Sequence, residues 1–326
     1  MSSLNICGPE PLILDGRLGC RYWIHHPIEF TRKQEVDERL SGFPVAVFQP
    51  AGRPAHETPT VIGLQGMAAP YQWNAFLVST LLDMGIACVL FDTPLAGERS
   101  VARDYRGDVL SELMPLLEQH ITPHAGLVPL LMEIVARDIA TVNTLIGDRH
   151  GLGDSRQALF GVSLGTLLAA YAFMRDGVGT RLLGTLGHAD LCHFARSYTP
   201  RFTPLAVSLP GRLLSKLAGL LYGPIVPATV DFLGVLNELC AGGEICIGSN
   251  PMTFLERVTG ERRVRFLVGQ EDHLVHPADA LACAQRFPDG ACYVVPGMGH
   301  GQGSMGPSFV EHVRYFVGTQ LGDWRW

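Results

Sequence analysis

Short apolar segments alternate with helical segments along most of the chain, and this alternation limits the fold more than any other feature. Apolar runs between turn residues predict buried strands, whereas apolar residues that recur every three or four positions predict helices. The predicted strands are 60–64, 86–91, 158–160, 181–186, 263–268 and 291–295, and the predicted helices are 71–84, 130–146, 166–174, 278–287 and 307–317. The pattern indicates βαβ units, and hence a mainly parallel sheet with helices on both faces. Two earlier segments, 19–24 and 43–48, are predicted to form an antiparallel pair of strands.

One region, residues 191–250, interrupts the alternation. It contains several prolines and a stripe of leucines at helical spacing, but no convincing buried strand. We therefore predict a core domain formed by residues 1–190 and 251–326, with residues 191–250 inserted as a helical cap or lid. The leucine stripe has an ordinary interpretation, which is packing on the core, and it could also line a pocket or touch a membrane surface.

The amino-acid composition indicates which binding partners and which cellular compartment to expect. The 326 residues are 47% hydrophobic and 17% charged, and the formal net charge of −6 disfavours binding to nucleic acid or anionic lipid by bulk charge. Eight cysteines are scattered without a C-x-x-C pair, which is typical of free thiols in a reducing compartment. The first residues lack a signal-peptide pattern, and no apolar run reaches the ~20 residues of a membrane-spanning helix. The sequence therefore predicts a cytoplasmic protein without a transmembrane segment.

The candidate nucleophile is Ser163, in the segment Gly161-Val162-Ser163-Leu164-Gly165. This segment matches G-x-S-x-G between a predicted strand and a predicted helix, which is the setting of a nucleophile turn. Glycines are needed there because side chains on either side of a tight strand-to-helix turn would clash. A buried serine in an unreactive turn is the alternative interpretation.

A serine hydroxyl needs a base, and a histidine base needs an acid to orient it. His300 follows the last predicted strand and is flanked by glycines, so we expect it at the edge of the sheet that carries Ser163. Asp272 follows the strand 263–268 and is the candidate acid. Its neighbour Glu271 is the main rival, and Asp279 is a weaker third candidate.

The negative charge that develops on a carbonyl oxygen during acyl transfer requires N–H donors, each worth about 10²–10³ in rate. The amide of Leu164, directly after the nucleophile, is one candidate. The other is the amide of Met67, in the loop Gln65-Gly66-Met67-Ala68-Ala69 that follows the strand 60–64. We predict no cofactor and no metal: His273 and His276 have no acidic partner at ligand spacing, and the G-x-G-x-x-G match at 301–306 lacks the following strand of a dinucleotide site.

Together these motifs resemble the α/β-hydrolase superfamily. The likeness spans about residues 43–190 and 255–326 and is carried by the nucleophile turn, the acid turn Gly269-Gln270-Glu271-Asp272, the loop Gly299-His300-Gly301 and the order Ser…Asp…His. The resemblance implies an eight-stranded, mostly parallel sheet, a lid after the sixth strand and hydrolysis through an acyl-enzyme. The segment 91–100 looks like the family's loop after its fourth strand. The chain departs from the family at the oxyanion turn, where it has Gln65-Gly66 in place of the common His-Gly.

The residues and the resemblance together predict a serine hydrolase that cleaves a small-molecule carboxylic ester with apolar groups. An acyltransferase, a thioesterase, a peptidase or a C–C bond hydrolase would keep the same three side chains and change the pocket. A scaffold of the same fold that binds a small molecule without catalysis belongs to a different functional class, and ester turnover would distinguish the two.

Overall fold

A single nine-stranded sheet organises the residues that the structure, a computed structural model, describes: 4–27, 34–66, 69–94, 96–99, 127–153, 156–194, 250–300 and 307–324. The strands are β1 (Asn5–Leu14), β2 (Arg17–His25), β3 (Gly42–Phe48), β4 (Thr60–Leu64), β5 (Ala87–Phe91), β6 (Gln157–Val162), β7 (Arg181–Thr185), β8 (Arg263–Gly269) and β9 (Ala291–Val295). Their order across the sheet is β1-β2-β3-β5-β4-β6-β7-β8-β9. The first three strands join the sheet through antiparallel pairs, and every pair from β5 to β9 is parallel.

Six helices accompany the sheet in the described residues. They are α1 (Gln34–Ser41), α2 (Phe76–Asp83), α3 (Leu127–His150), α4 (Leu164–Asp176), α5 (Pro277–Ala284) and α6 (Pro307–Gln320). Short 3₁₀ segments lie at 71–74, 97–99 and 251–257.

The central strands are buried on both faces, which is why they appear in the sequence as continuous apolar runs. All five residues of β4 are buried. Ile62 and Leu64 belong to the apolar cluster on one face of the sheet, together with residues of α3 and α4, whereas Val61 belongs to the cluster on the other face, together with residues of α2 and α6. The parallel strands therefore end together at one edge of a sheet that two helical layers hold in place.

The fold class predicted from the sequence is confirmed, with one correction to the number of strands. The resemblance implied eight strands, and the described residues form nine, because β1 pairs with β2 at the edge of the sheet. This strand was missed because it has no regular apolar alternation and contains Pro9 and Pro11, residues that the sequence rules associate with turns but that edge strands tolerate.

The expectation that the cysteines are free thiols is wrong for Cys192. Cys192 is disulfide-bonded, whereas Cys7, Cys20, Cys88, Cys283 and Cys292 are free. Disulfides are more typical of oxidising compartments, so this bond does not support the reducing compartment that the sequence indicated. In the described part of the chain, no helix has both the length and the apolar character needed to cross a membrane. Most of the predicted cap, residues 195–249, lies outside the described residues.

Candidate active site

The turn that carries Ser163 is built by close backbone packing. Ser163 stands between β6 and α4 with φ of 52° and ψ of −118°, a backbone conformation that L-residues rarely adopt. A Cβ atom on Gly161 would lie 2.4 Å from the carbonyl oxygen of Gly165, and one on Gly165 would lie 2.5 Å from the carbonyl oxygen of Leu64. The two glycines of the motif are therefore required by contacts within the turn and with β4.

Neighbouring elements hold this strained turn in place. The Ser163 amide donates to the carbonyl oxygen of Thr185 at 2.8 Å, and the carbonyl oxygen of Ser163 accepts from the Thr166 amide at 2.9 Å. A Cβ on Gly187 would approach the Ser163 carbonyl to 2.7 Å, so the chain after β7 packs directly against the turn. Leu186 has a positive φ of 52° at the start of that segment. Ser163 and Leu186, which follow neighbouring strands, therefore both have a backbone conformation that L-residues rarely adopt.

Three side chains from three different strand ends meet at this edge. The Oγ atom of Ser163 lies 2.9 Å from Nε2 of His300, and Nδ1 of His300 lies 2.8 Å from Oδ2 of Asp272. The Asp272 side chain is fully buried, and the His300 side chain is 16% exposed. The residues are separated by 137 and 28 positions in the sequence, so only the sheet brings them together.

The orientation of Asp272 is determined by its own loop. Its Oδ1 atom accepts hydrogen bonds from the amides of Leu274 and Val275 at 2.8 and 2.7 Å, which leaves Oδ2 for the imidazole. Gly269 has no room for a side chain, because a Cβ there would lie 1.9 Å from the carbonyl oxygen of Met298. That contact draws the acid turn and the histidine loop together.

The hydrogen bonds also determine the tautomer of the imidazole. A carboxylate oxygen can only accept, so Nδ1 of His300 carries the hydrogen that it donates to Asp272. Nε2 is then left with a lone pair facing the Ser163 hydroxyl, which donates to it. This arrangement can remove a proton from the hydroxyl as its oxygen attacks an electrophile.

The rival acids do not contact the imidazole. Glu271 is exposed and Asp279 binds Nε2 of His193 at 3.0 Å, so of the three candidates Asp272 is the one hydrogen-bonded to His300. His273 and His276 form no metal-binding group in the described residues, where no cluster of three or more ligand-type side chains is found.

Of the two predicted oxyanion donors, Leu164 and Met67, the structure describes only Leu164. Leu164 is the first residue of α4, where amides have no acceptor within the helix, and it directly follows the nucleophile. Met67 lies outside the described residues. Its neighbour Gly66 is next to the nucleophile, since a Cβ on Gly66 would lie 3.6 Å from Cβ of Ser163. Gly66, directly after Gln65, therefore lies beside the serine.

The sequence analysis included Asp92 and Thr93 in the segment 91–100 but assigned neither residue a place at this edge. Both are buried directly after β5, and they contact the two ends of the segment 65–71. Burial raises the pKa of Asp92 to about 6, although hydrogen bonds from the amides of Glu98 and Tyr71 oppose this shift. An aspartate at the end of a buried strand, on the same edge as the nucleophile, was the signal that could have identified it.

Comparison with solved structures finds proteins of the same architecture. An acetyl xylan esterase from Paenibacillus sp. R4 matches with a TM-score of 0.56 and 17% identity, over 97% of this chain and 88% of that one. Est1E from Butyrivibrio proteoclasticus matches with a TM-score of 0.52 and 13% identity, over 97% of this chain and 100% of that one. GrgF from Penicillium sp. sh18, an α/β hydrolase, matches with a TM-score of 0.52 and 14% identity, over 85% of this chain and 94% of that one.

Similarity is found at the level of structure. No protein-family model matches the sequence, and a comparison with curated protein sequences finds no match. The sheet order and the structural matches agree with the resemblance that the nucleophile turn and the order of Ser163, Asp272 and His300 indicated. The chain has the α/β-hydrolase fold.

Proposed function

We propose that the protein is a serine hydrolase that cleaves a carboxylic ester through an acyl-enzyme intermediate. The observation that carries this proposal is the continuous hydrogen-bonded series from Ser163 Oγ through His300 to Asp272, with distances of 2.9 and 2.8 Å. A serine hydroxyl at neutral pH is a weak nucleophile, and this series supplies the base and the fixed tautomer that it needs.

In the first half of the reaction, Ser163 Oγ attacks the carbonyl carbon of the ester while Nε2 of His300 accepts the hydroxyl proton. The tetrahedral intermediate places its negative oxygen near the amide of Leu164 and, in this proposal, the amide of Met67. Asp272 stabilises the imidazolium that forms. The imidazolium then protonates the alkoxide that leaves, and the acyl group remains on the serine.

In the second half, a water molecule replaces the alcohol. His300 accepts a proton from this water as its oxygen attacks the acyl carbon, and a second tetrahedral intermediate forms at the same donors. Its collapse breaks the bond to Ser163 Oγ, which recovers its proton from the imidazolium. The products are a carboxylic acid and an alcohol, and the enzyme returns to its starting state.

We propose a small-molecule ester with apolar groups as the substrate. The apolar sequence of residues 191–250 supports this choice, because we propose that this segment caps the core formed by residues 1–190 and 251–326. The Paenibacillus protein of similar fold is an acetyl xylan esterase, which supports ester hydrolysis without naming the acyl group used here. A cytoplasmic location and the absence of nucleic-acid partners stay predictions.

The test is turnover of p-nitrophenyl esters of short and medium acyl chains by the wild-type protein and by Ser163→Ala. We expect the wild type to release p-nitrophenol and Ser163→Ala to lose at least about 10⁴-fold in kcat. A fluorophosphonate probe should label the wild type and leave Ser163→Ala unlabelled. Labelling without ester turnover would point to a different acyl acceptor or bond, and a folded protein without either activity would refute the proposal.

A further inference from the structure

Two buried threonine hydroxyls contact the backbone of the nucleophile turn, residues 161–165, and the proton transfer proposed above uses neither of them. Thr166 is the third residue of α4, three positions after Ser163, and Thr185 is the last residue of β7. Both residues are fully buried. A buried hydroxyl needs a hydrogen-bond partner, so the partners that these two take are part of how the turn is held.

The Thr166 hydroxyl joins the ends of two strands to the first turn of α4. Its Oγ1 atom lies 2.9 Å from the carbonyl oxygen of Gly161, at the end of β6, and 3.2 Å from that of Thr185, at the end of β7. The Thr185 carbonyl oxygen also accepts from the Ser163 amide at 2.8 Å. One hydroxyl therefore links the helix that follows the nucleophile to both strands that support the turn.

The Thr185 hydroxyl reaches the same carbonyl group from the other face of the sheet. Its Oγ1 atom donates to the carbonyl oxygen of Gly161 at 3.2 Å. Side chains alternate between the two faces along a strand, so Thr185 lies on the opposite face of β7 from Gly184, against which Thr166 packs. The Gly161 carbonyl, two residues before Ser163, is thus held from both faces.

Two glycines leave the space that the Thr166 side chain fills. A Cβ on Gly184 would lie 2.4 Å from Cγ2 of Thr166, and a Cβ on Gly187 would lie 2.7 Å from its Cβ and 2.9 Å from its Oγ1. Glycine weakens the interior of a strand and is typical of places where another segment approaches closely. The Thr166 side chain therefore has little room to rotate, and its hydroxyl stays directed at the strand ends.

The nucleophile turn needs this support because its backbone is strained. Ser163 has φ of 52° and ψ of −118°, a conformation that persists only where surrounding contacts enforce it. The same turn carries the Leu164 amide, which is the described candidate donor to the oxyanion. Relaxation of the turn would change both the direction of that amide and the distance of 2.9 Å between Ser163 Oγ and Nε2 of His300.

We propose that Thr166 and Thr185 are positioning residues, whose hydroxyls hold the nucleophile turn so that Ser163 Oγ and the Leu164 amide are aligned with the reacting carbonyl group. The inference rests on the proposed hydrolase function. Alignment of the nucleophile and of the oxyanion donor matters in the transition state more than in the bound substrate, so loss of the hydroxyls lowers kcat while KM changes little.

The first test uses substitutions that remove or keep each hydroxyl. Thr166→Val removes the hydroxyl and keeps the branched shape, whereas Thr166→Ser keeps the hydroxyl. We expect Thr166→Val to lower kcat about 10-fold with a change in KM below about 3-fold, because a misplacement of about 1 Å costs about 10²-fold and this one is smaller. Thr166→Ser should stay within about 3-fold of the wild-type kcat. Thr185→Val loses one longer hydrogen bond and should lower kcat about 3-fold.

Thr58→Val is the matched control. Thr58 is buried before β4, at the opposite edge of the sheet, and its hydroxyl donates to the carbonyl oxygen of Pro54 at 2.8 Å. The substitution removes the same kind of hydrogen bond far from Ser163, so kcat should not change. Rates are expressed per serine titrated with fluorophosphonate. A purely structural role would lower the titrated fraction and leave these rates unchanged.

Two further readouts identify what the hydroxyls act on. An aryl trifluoromethyl ketone forms a tetrahedral oxyanion adduct on the serine, so its Ki should rise in Thr166→Val by the same factor by which kcat/KM falls. The pH profile of kcat/KM should fall in height and keep its shape, because the hydrogen bond between Asp272 and His300 is left in place.

Unchanged kcat per titrated serine and unchanged Ki in both valine variants of an active wild type would overturn the positioning role and leave the hydrolase function in place. If Thr166→Val does not fold, Thr185→Val and Thr185→Ser decide, and the serine variant is expected to keep kcat within about 2-fold of the wild type. A wild type that neither reacts with fluorophosphonate nor hydrolyses esters would refute the hydrolase function and this inference with it.

Discussion

Two buried aspartates follow strands at the same edge of the sheet and have different surroundings. Asp92, after β5, uses both oxygens to accept backbone amides, from Tyr71 and Glu98. Asp272, after β8, directs both of its amide donors to Oδ1 and leaves Oδ2 for the imidazole of His300. The two residues share a residue type and a position at the same edge of the sheet, but they differ in their free acceptors. Backbone amides occupy both carboxylate oxygens of Asp92, whereas they occupy only one oxygen of Asp272 and leave the other to bind a side chain.

The largest difference between the two aspartates should appear in activity. Asp272→Asn presents an NH₂ group to Nδ1 of His300 and favours the wrong tautomer, so we expect kcat to fall about 10⁴-fold while the fold persists. The matched control is Glu271→Gln at the exposed neighbouring position, which should change kcat less than about 2-fold. Ester turnover with both variants checks this, and a loss of similar size in the two would contradict the assignment of Asp272 as the acid.

A second difference lies in the space around each loop. Gly97 has a φ of +53°, and a Cβ there would lie 2.1 Å from the Asp92 carboxylate, so Gly97→Ala should lower the free energy of unfolding by about 4 kcal/mol. Gly299, in the histidine loop, is the matched control because a Cβ there would only reach 3.4 Å from the carbonyl oxygen of Glu271. Urea unfolding of both variants measures the contrast. Equal losses would show that the 92–98 loop leaves no less space at Gly97 than the histidine loop leaves at Gly299.

The third difference concerns pH. Burial raises the pKa of Asp92 from 3.8 to about 6, so the folded protein binds this proton more tightly than the unfolded chain does. Its contribution to stability is therefore fully present below about pH 4 and is lost as the pH rises through about 6, which amounts to about 3 kcal/mol. The neighbouring charged and titratable groups that influence this pKa are Glu98 and Arg99.

Asp92→Asn provides the measurement for this effect. The free energy of unfolding of the variant, relative to that of the wild type, should increase by about 2 kcal/mol between about pH 4 and pH 7, because the variant has no carboxylate to ionise. Urea titrations across that range measure the difference. A difference that stays constant with pH would show that Asp92 ionises in the fold as easily as in the unfolded chain.

Much of the fold was predictable because a parallel strand that is buried on both faces appears in the sequence as a short, continuous apolar run. The strands 60–64 and 291–295 were predicted with the bounds that the structure has, and most other elements differ by a few residues at their ends. The G-x-S-x-G turn was predictable for a similar reason, since Gly161 and Gly165 are required by contacts within a few residues and with the neighbouring strand. Asp272 and His300 could be proposed because each follows a strand at a known edge.

The rest depends on contacts between distant segments. The contact between Asp92 and the Tyr71 amide exists because β5 and β4 are neighbours in the sheet, and no spacing in the sequence encodes that adjacency. The choice of Asp272 over Glu271 was open for the same reason, since it depends on which carboxylate the Leu274 and Val275 amides orient towards His300. The edge strand β1 lacked the apolar pattern because only a part of it faces the core.

Trapping of the acyl-enzyme tests the role of Ser163 most directly. The wild-type protein is mixed with a p-nitrophenyl ester, quenched in acid within the pre-steady state, digested and analysed by mass spectrometry. We predict an acyl group on the peptide that contains Ser163, at a stoichiometry matching the burst of p-nitrophenol, and none in Ser163→Ala. An acyl group on another residue, or ester turnover that persists in folded Ser163→Ala, would contradict it.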